Sequence, residues 1–232
     1  MNDAVYTQLL DLACGAFLLA AVVVLWLRQL ASIVRVFALQ GVALAAVAAL
    51  LGTYDRRWEV LAVATGIGVL RAGLLPLLMR RALTALAPAP GHPYEEDVSE
   101  ARETEPLVNV AASLLSAALL TLLAYAVARP LVELNPTPAT RALPVGLAVV
   151  LIGFFTLVTR RRALAQVVGF LLLDNGITAT AFLAASGVPL IVELGVSFDV
   201  LLAVLVLRIL TTRMRAAFGG TGLDDMRELS DR

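Results

Sequence analysis

The sequence predicts an all-α fold: a polytopic membrane bundle of seven transmembrane helices, with the N-terminus outside and the C-terminus cytoplasmic. Three observations carry this reading. Hydrophobic residues make up 60% of the 232-residue chain and charged residues only 16%, and the mean hydropathy is +0.88. Soluble domains carry roughly 25% charge, so such an apolar excess needs lipid as its solvent. The apolar residues gather into seven runs, each near the roughly 20 residues that cross a hydrocarbon core about 30 Å thick. The arginines between the runs fall unequally on alternate connections, as they do in membrane proteins with a fixed orientation.

The runs are 5–27, 30–52, 58–79, 107–128, 142–159, 163–186 and 188–210. Between them stand Arg28-Gln29, Asp55-Arg56-Arg57, Arg80-Arg81, the stretch from Pro130 to Arg141, Arg160-Arg161-Arg162, and Gly187 with Pro189. These are charges and helix breakers, which belong at span ends. The first run has an acidic head, Asp3, and no clear cleavage site, so it is expected to be a retained helix and not a secretory signal. The chain then divides into a three-helix unit over 1–86, an acidic loop over 87–106, a crossover helix over 107–129, a three-helix unit over 142–213 and a tail over 214–232.

With seven spans the connections alternate sides. Arg28, Arg80, Arg81, Arg102, Arg160, Arg161, Arg162, Arg213, Arg215, Arg227 and Arg232 fall together, and Arg56, Arg57, Arg129 and Arg141 fall opposite. Basic residues are retained in the cytoplasm, which puts the larger set inside. Arg35 and Arg208 lie within about two turns of the inner boundary and read as snorkelling anchors.

Several function classes are disfavoured. The 18 arginines balance 18 acidic residues and lysine is absent, so there is no basic surplus to bind nucleic acid. Cys14 and His92 are single, leaving no local His/Cys cluster for zinc, haem or an iron–sulfur centre. Cys14 reads as packing, Asp11 as an outer-interface residue and His92 as an inert loop residue. The loop 87–106 holds four prolines and six carboxylates against Arg102; it is a solvated linker or a docking element for a partner.

A shift of 135 positions lays residues 30–52 on 165–187, with Gly41 on Gly176, Gly52 on Gly187 and Gln40 on Asn175. This is the pattern of a parallel duplication in which the fourth span restores the orientation, with chance matching of Ala, Leu and Gly as the alternative.

The few intramembrane polar groups are the informative residues, because a charge at the bilayer centre costs about 2.5–3.5 kcal/mol or more and normally faces protein or water. Asp174 in the sixth run and Asp199 in the seventh both fall about 16–17 Å deep, and two carboxyls at one depth on adjacent helices can share protons. Glu193 lies about 9 Å outward of Asp199 on another face. Asn175 can donate to a carboxylate. Arg71 lies about 20 Å into the third run, too deep for easy snorkelling, and its counter-charge must come from another helix or another subunit. Gln40, at mid-depth in the second run, can extend such a polar chain. The candidate proton-transfer residues are therefore Asp174, Asp199 and Glu193, the charge-pairing residue is Arg71, and Asn175 and Gln40 support them. No catalytic residue and no metal ligand is singled out. The alternative for each is structural, an interhelical hydrogen bond worth about 0.6–2 kcal/mol.

The stretches Val168-Gly169-Phe170-Leu171-Leu172-Leu173-Asp174-Asn175-Gly176 and Val188-Pro189-Leu190-Ile191-Val192-Glu193-Leu194-Gly195-Val196-Ser197-Phe198-Asp199 resemble the hydrogenase-4 component E family, as does Leu70-Arg71-Ala72-Gly73-Leu74-Leu75-Pro76. That family comprises membrane subunits of complex I-like nickel–iron hydrogenases and formate hydrogenlyases. The last three spans are similar to the K-type subunit of complex I and to the C-type subunit of multisubunit cation/proton antiporters. In the K-type subunit two intramembrane glutamates take part in proton transfer; Asp199 falls on one of them, while the other aligns with Leu171, one helical turn before Asp174. The resemblance implies a non-catalytic membrane-arm subunit that helps couple electron transfer to proton or cation translocation in a bacterial or archaeal cell membrane. It implies no cofactor held by this subunit, nickel–iron and iron–sulfur centres belonging to partners. The implied partners are antiporter-like large membrane subunits, a protein like the H-type subunit of complex I, other membrane-arm subunits, a peripheral hydrogenase arm and lipid. A subunit of a cation/proton antiporter and a purely structural assembly subunit are the alternatives.

Overall fold

The structure, a computed structural model, describes residues 2–27, 29–85, 109–160 and 163–185. Among these residues there is no strand, and six helices are long and apolar enough to cross a membrane. The chain is a multi-pass membrane protein, all-helical among the described residues. The seventh run at 188–210, the loop 87–106 and the tail 214–232 lie outside the described residues, and with them Asp199 and Glu193.

Helix α1 spans Asp3–Trp26 and α2 spans Leu30–Tyr54. The third span is composite: α3 at Trp58–Ile67, a π-helical segment at Gly68–Leu74, and α4 at Leu75–Ala85. Helices α5 at Val110–Leu134, α6 at Pro138–Thr159 and α7 at Ala163–Ala185 follow. Connections of about three residues join α1 to α2, α2 to α3, α5 to α6 and α6 to α7, so each of these pairs must run antiparallel.

The joint expected from Pro130 to Arg141 is much shorter. Helix α5 continues through Pro130 to Leu134, and α6 begins at Pro138. Pro130 stands only about one turn before the end of α5, and Arg129 and Glu133 close an exposed i,i+4 ion pair at 2.9 Å around it. The stop comes at Asn135, which precedes Pro136 and leaves the helical region at φ −147° and ψ 84°, as a residue before proline tends to do. Thr137 and Thr140 then exchange side-chain-to-backbone hydrogen bonds of 3.1 and 2.9 Å in a capping box, with Pro138 at the first helical position. That combination starts a helix firmly.

The core gathers around α2, α6 and α7. Helices α6 and α7 make the most extensive pairing, because glycines stand where their backbones meet. A Cβ at Gly176 would lie 2.5 Å from the Val150 nitrogen. Close approach of this kind replaces hydrophobic driving force in lipid with van der Waals contact. Helix α5 is the outlier: Leu115, Leu119 and Leu122 are exposed, and only 17% of its apolar window is buried.

Arg160 departs from its expected place in a solvated connection. It is buried, and its Nη2 donates to the Leu25 carbonyl at 3.2 Å and the Val24 carbonyl at 3.4 Å. The last carbonyls of α1 have no donor within their own helix, and a guanidinium supplies one. The contact also sets the ends of α1 and α6 at one level, so those two helices run parallel, and α2 therefore runs parallel to α7.

Candidate functional site

Arg71 is the largest fully buried side chain among the described residues. It lies thirteen residues after Trp58 and fourteen before Ala85, about 20 Å from either end of the third span. The lipid supplies no water at this depth, so the guanidinium must be met by protein. Its Nη2 stands 2.9 Å from Asp174 Oδ2 and donates at 3.0 Å to Thr178 Oγ1. Its Nη1 donates at 2.5 Å to Asn175 Oδ1. Asp174 is the central residue of α7, eleven from each end, about 16–17 Å deep.

The network continues into α2. Asn175 Nδ2 donates at 3.0 Å to Gln40 Oε1. Gln40 is ten residues into its helix, about 15 Å from that end. Gln40 Nε2 is fully buried and has no hydrogen-bond partner among the described residues. Arg71, Asp174, Asn175, Thr178 and Gln40 are all buried. Among the described residues, one cation, one carboxylate and three neutral polar groups thus meet at mid-depth from three separate spans.

Local structure aims each group. Asp174 and Thr178 are four residues apart and Asn175 and Thr178 three apart, which places all three on neighbouring parts of one helix face. Arg71 sits on the π segment, whose wider turn is closed by the Leu75 N–H bonding to the Leu70 carbonyl, five residues back. One extra residue per turn rotates Arg71 relative to a regular helix, and such insertions are common at functional sites. Gly41 lets this segment come close: a Cβ there would lie 2.8 Å from the Arg71 carbonyl carbon and 2.9 Å from the Ala72 nitrogen.

Of the residues singled out in the sequence, the structure brings Arg71, Asp174, Asn175 and Gln40 together. Asp199 and Glu193 lie outside the described residues. Asp174 faces a guanidinium of the third span. Sequence reasoning missed Thr178, although its spacing from Asp174 and Asn175 was a usable signal, and it missed the π segment, for which the sequence offers no marker beyond Gly68 and Gly73.

The energetics separate this centre from ordinary packing. Each buried ion costs several kcal/mol of desolvation, and a well-packed apolar pair is often as stable as a buried ion pair. Neutral hydrogen bonds would hold three helices together at less risk. What the charges add is chemical: a carboxyl that can take and release a proton beside a guanidinium that keeps its charge.

No protein-family profile and no solved structure matches the chain. The uncharacterized protein Rv0085 of Mycobacterium tuberculosis is 48% identical over 231 residues, covering the whole of both chains. Hydrogenase-4 component E of Escherichia coli K12 is 31% identical over 115 residues, which is 50% of this chain and 53% of that one. The Shigella flexneri protein of the same description matches to the same extent.

Proposed function

The chain belongs to the family of the mycobacterial protein Rv0085, and we propose that it is a non-catalytic membrane-arm subunit of a complex I-like redox complex of the membrane-bound nickel–iron hydrogenase type. Its part is to couple electron transfer to proton or cation translocation. The observation that carries this reading is the buried Arg71–Asp174 pair, held at mid-depth across three spans by Asn175, Thr178 and Gln40. The half-chain similarity to hydrogenase-4 component E supports the kind of assembly.

In this reading the pair is neutral as a unit. A proton delivered to Asp174 cancels the carboxylate 2.9 Å from Arg71 and weakens the compensation of its charge at a depth where that is costly. The guanidinium then leans on its remaining contacts, and Asp199 and Glu193 in the seventh run are the carboxylates proposed to share its charge. Gln40 Nε2 offers a donor to the carboxylate or water that carries the proton on. The reading includes seven spans, an outer N-terminus, a cytoplasmic C-terminus and a bacterial or archaeal cell membrane. The metal centres and the antiporter-like large subunits belong to the rest of the complex.

The test is the double variant Arg71→Gln with Asp174→Asn, which removes both charges and keeps hydrogen-bonding side chains. Redox-driven proton uptake is measured in vesicles holding the native complex, together with the subunit composition of that complex. The expected result is an assembled complex with proton uptake greatly reduced relative to electron transfer. Full coupling in an assembled double variant would leave the pair a structural device and end this reading.

A further inference from the structure

An open groove of about 790 Å³ runs between α1 and α2, its lining almost wholly apolar and including no residue of the charged centre. On α1 the lining includes Leu9, Leu12, Ala16, Leu19 and Val23, and on α2 it includes Leu39, Val42, Ala46, Ala49 and Thr53. With Ala13, Ala20, Val36, Ala43 and Leu50 they form one continuous face of each helix, broad enough to receive another helix between them. Leu12, Leu19, Leu39 and Val42 stand exposed as walls over alanines that let a backbone come near.

The length of the groove selects its occupant. From Val36 to Thr53 it follows α2 for seventeen residues, about 25 Å of a core about 30 Å thick. An acyl chain reaches through one leaflet, about half that core, whereas a transmembrane helix fills the whole groove. Arg35 adds a charge requirement. It is exposed, it makes no hydrogen bond or ion pair among the described residues, and it lies four residues before Leu39 on the same stripe. The positive end of the α2 dipole lies beside it, so an acidic group is favoured at this level. A second copy of the chain fits poorly. Two copies inserted the same way would meet across a two-fold axis, concave face to concave face, with Arg35 against Arg35.

We propose that the α1/α2 groove is the docking surface for one transmembrane helix of another subunit, an apolar helix with a carboxylate near the end that meets Arg35. This rests on the reading of the chain as part of a membrane assembly, and it adds which face of the chain is joined and by what.

The assembly is purified from native membranes through a tag on this chain, with a photo-crosslinking residue at Val42 and, separately, with Ala46→Phe, Arg35→Glu or Arg35→Lys. The expected crosslink joins Val42 to a membrane-spanning segment of one co-purifying subunit. Ala46→Phe and Arg35→Glu should lower that same subunit about tenfold against the others, a loss of about 1.4 kcal/mol, while Arg35→Lys retains most of it. A carboxylate-to-arginine exchange on the crosslinked segment should restore binding to Arg35→Glu. Crosslinks confined to phospholipid, to a second copy, or to residues 188–210 of the same chain would overturn the proposal. So would wild-type stoichiometry in both Ala46→Phe and Arg35→Glu. If the unaltered chain purifies without any other membrane subunit, the assembly reading itself has failed; if the assembly persists in every variant, the docking surface alone has failed.

Discussion

Removing one charge from the Arg71–Asp174 pair should damage the protein more than removing both. Asp174→Asn takes away the carboxylate 2.9 Å from the guanidinium and leaves its contacts with the neutral acceptors Asn175 Oδ1 at 2.5 Å and Thr178 Oγ1 at 3.0 Å. Arg71→Gln leaves a carboxylate in a site that is buried and lipid-deep. Breaking a buried pair from one side costs about 3–5 kcal/mol, chiefly as the penalty of the orphaned charge. The double variant removes both members of this pair together. Its loss reduces to imperfect hydrogen bonding among amides, about 1–3 kcal/mol. The double-mutant cycle should therefore show an interaction energy of several kcal/mol, far beyond the roughly 0.3–0.5 kcal/mol seen between independent sites. The assay is equilibrium unfolding of the purified full-length protein in lipid–detergent micelles titrated with SDS, followed by far-ultraviolet circular dichroism. Additive losses, with the double variant destabilised by about 6–10 kcal/mol, would refute the claim that each charge exists to neutralise the other.

Three further outcomes follow from other contacts. Gly41→Ala places a methyl group 2.8 Å from the Arg71 carbonyl carbon and should push the π segment off α2; overpacking of this kind costs about 1–3 kcal/mol in the same unfolding assay. Arg160→Ala takes the donor from the Val24 and Leu25 carbonyls and should cost about 1.5–3 kcal/mol, with Arg160→Lys recovering part of the loss. The orientation proposed from the arginine bias is checked with topology reporters: one after Arg215 should read cytoplasmic and one near Asn135 external, and matching sides for both would defeat the seven-span plan.

What was legible in the sequence was set by solvent and by charge. Lipid forces backbone hydrogen bonds to close within helices, so apolar runs near 20 residues long read directly as spans, and all six described spans fall on expected runs. The same cost argument singles out Arg71, Asp174, Asn175 and Gln40, because a polar group at mid-depth is conspicuous among Ala, Leu and Val. It does not say which will meet which. Sequence order sets Asp174 beside Asp199, which lies outside the described residues, but it gives no sign of the ion-pair partner that comes from a span 103 residues earlier. That contact depends on the π turn and on the bare surface at Gly41, and neither changes hydropathy. Pro130 misleads for a local reason: a proline near a helix end removes little, and the real stop, Asn135 before Pro136, lies five residues further on.

Two of the long-range hydrogen bonds bear on the internal repeat. Asn175 donates to Gln40, and Arg160 donates to the Leu25 carbonyl; both pairs are 135 positions apart, the same shift that aligns the two halves. A duplicated unit related by a two-fold axis along the membrane normal requires this of residues nearest the axis, since each then meets its own equivalent. One of these contacts lies at helix ends and the other at mid-depth, where a single axis between α1 and α6 and between α2 and α7 would place them. The chemistry around that axis is one-sided. The equivalents of Asp174 and Thr178 are Leu39 and Ala43, both of them lining the apolar groove. On one copy of the helix this stripe binds a guanidinium of the third span, and on the other it is kept apolar and open. The two halves thus put the same helical face to different uses, one to hold a charge inside the chain and one to receive a helix from outside it.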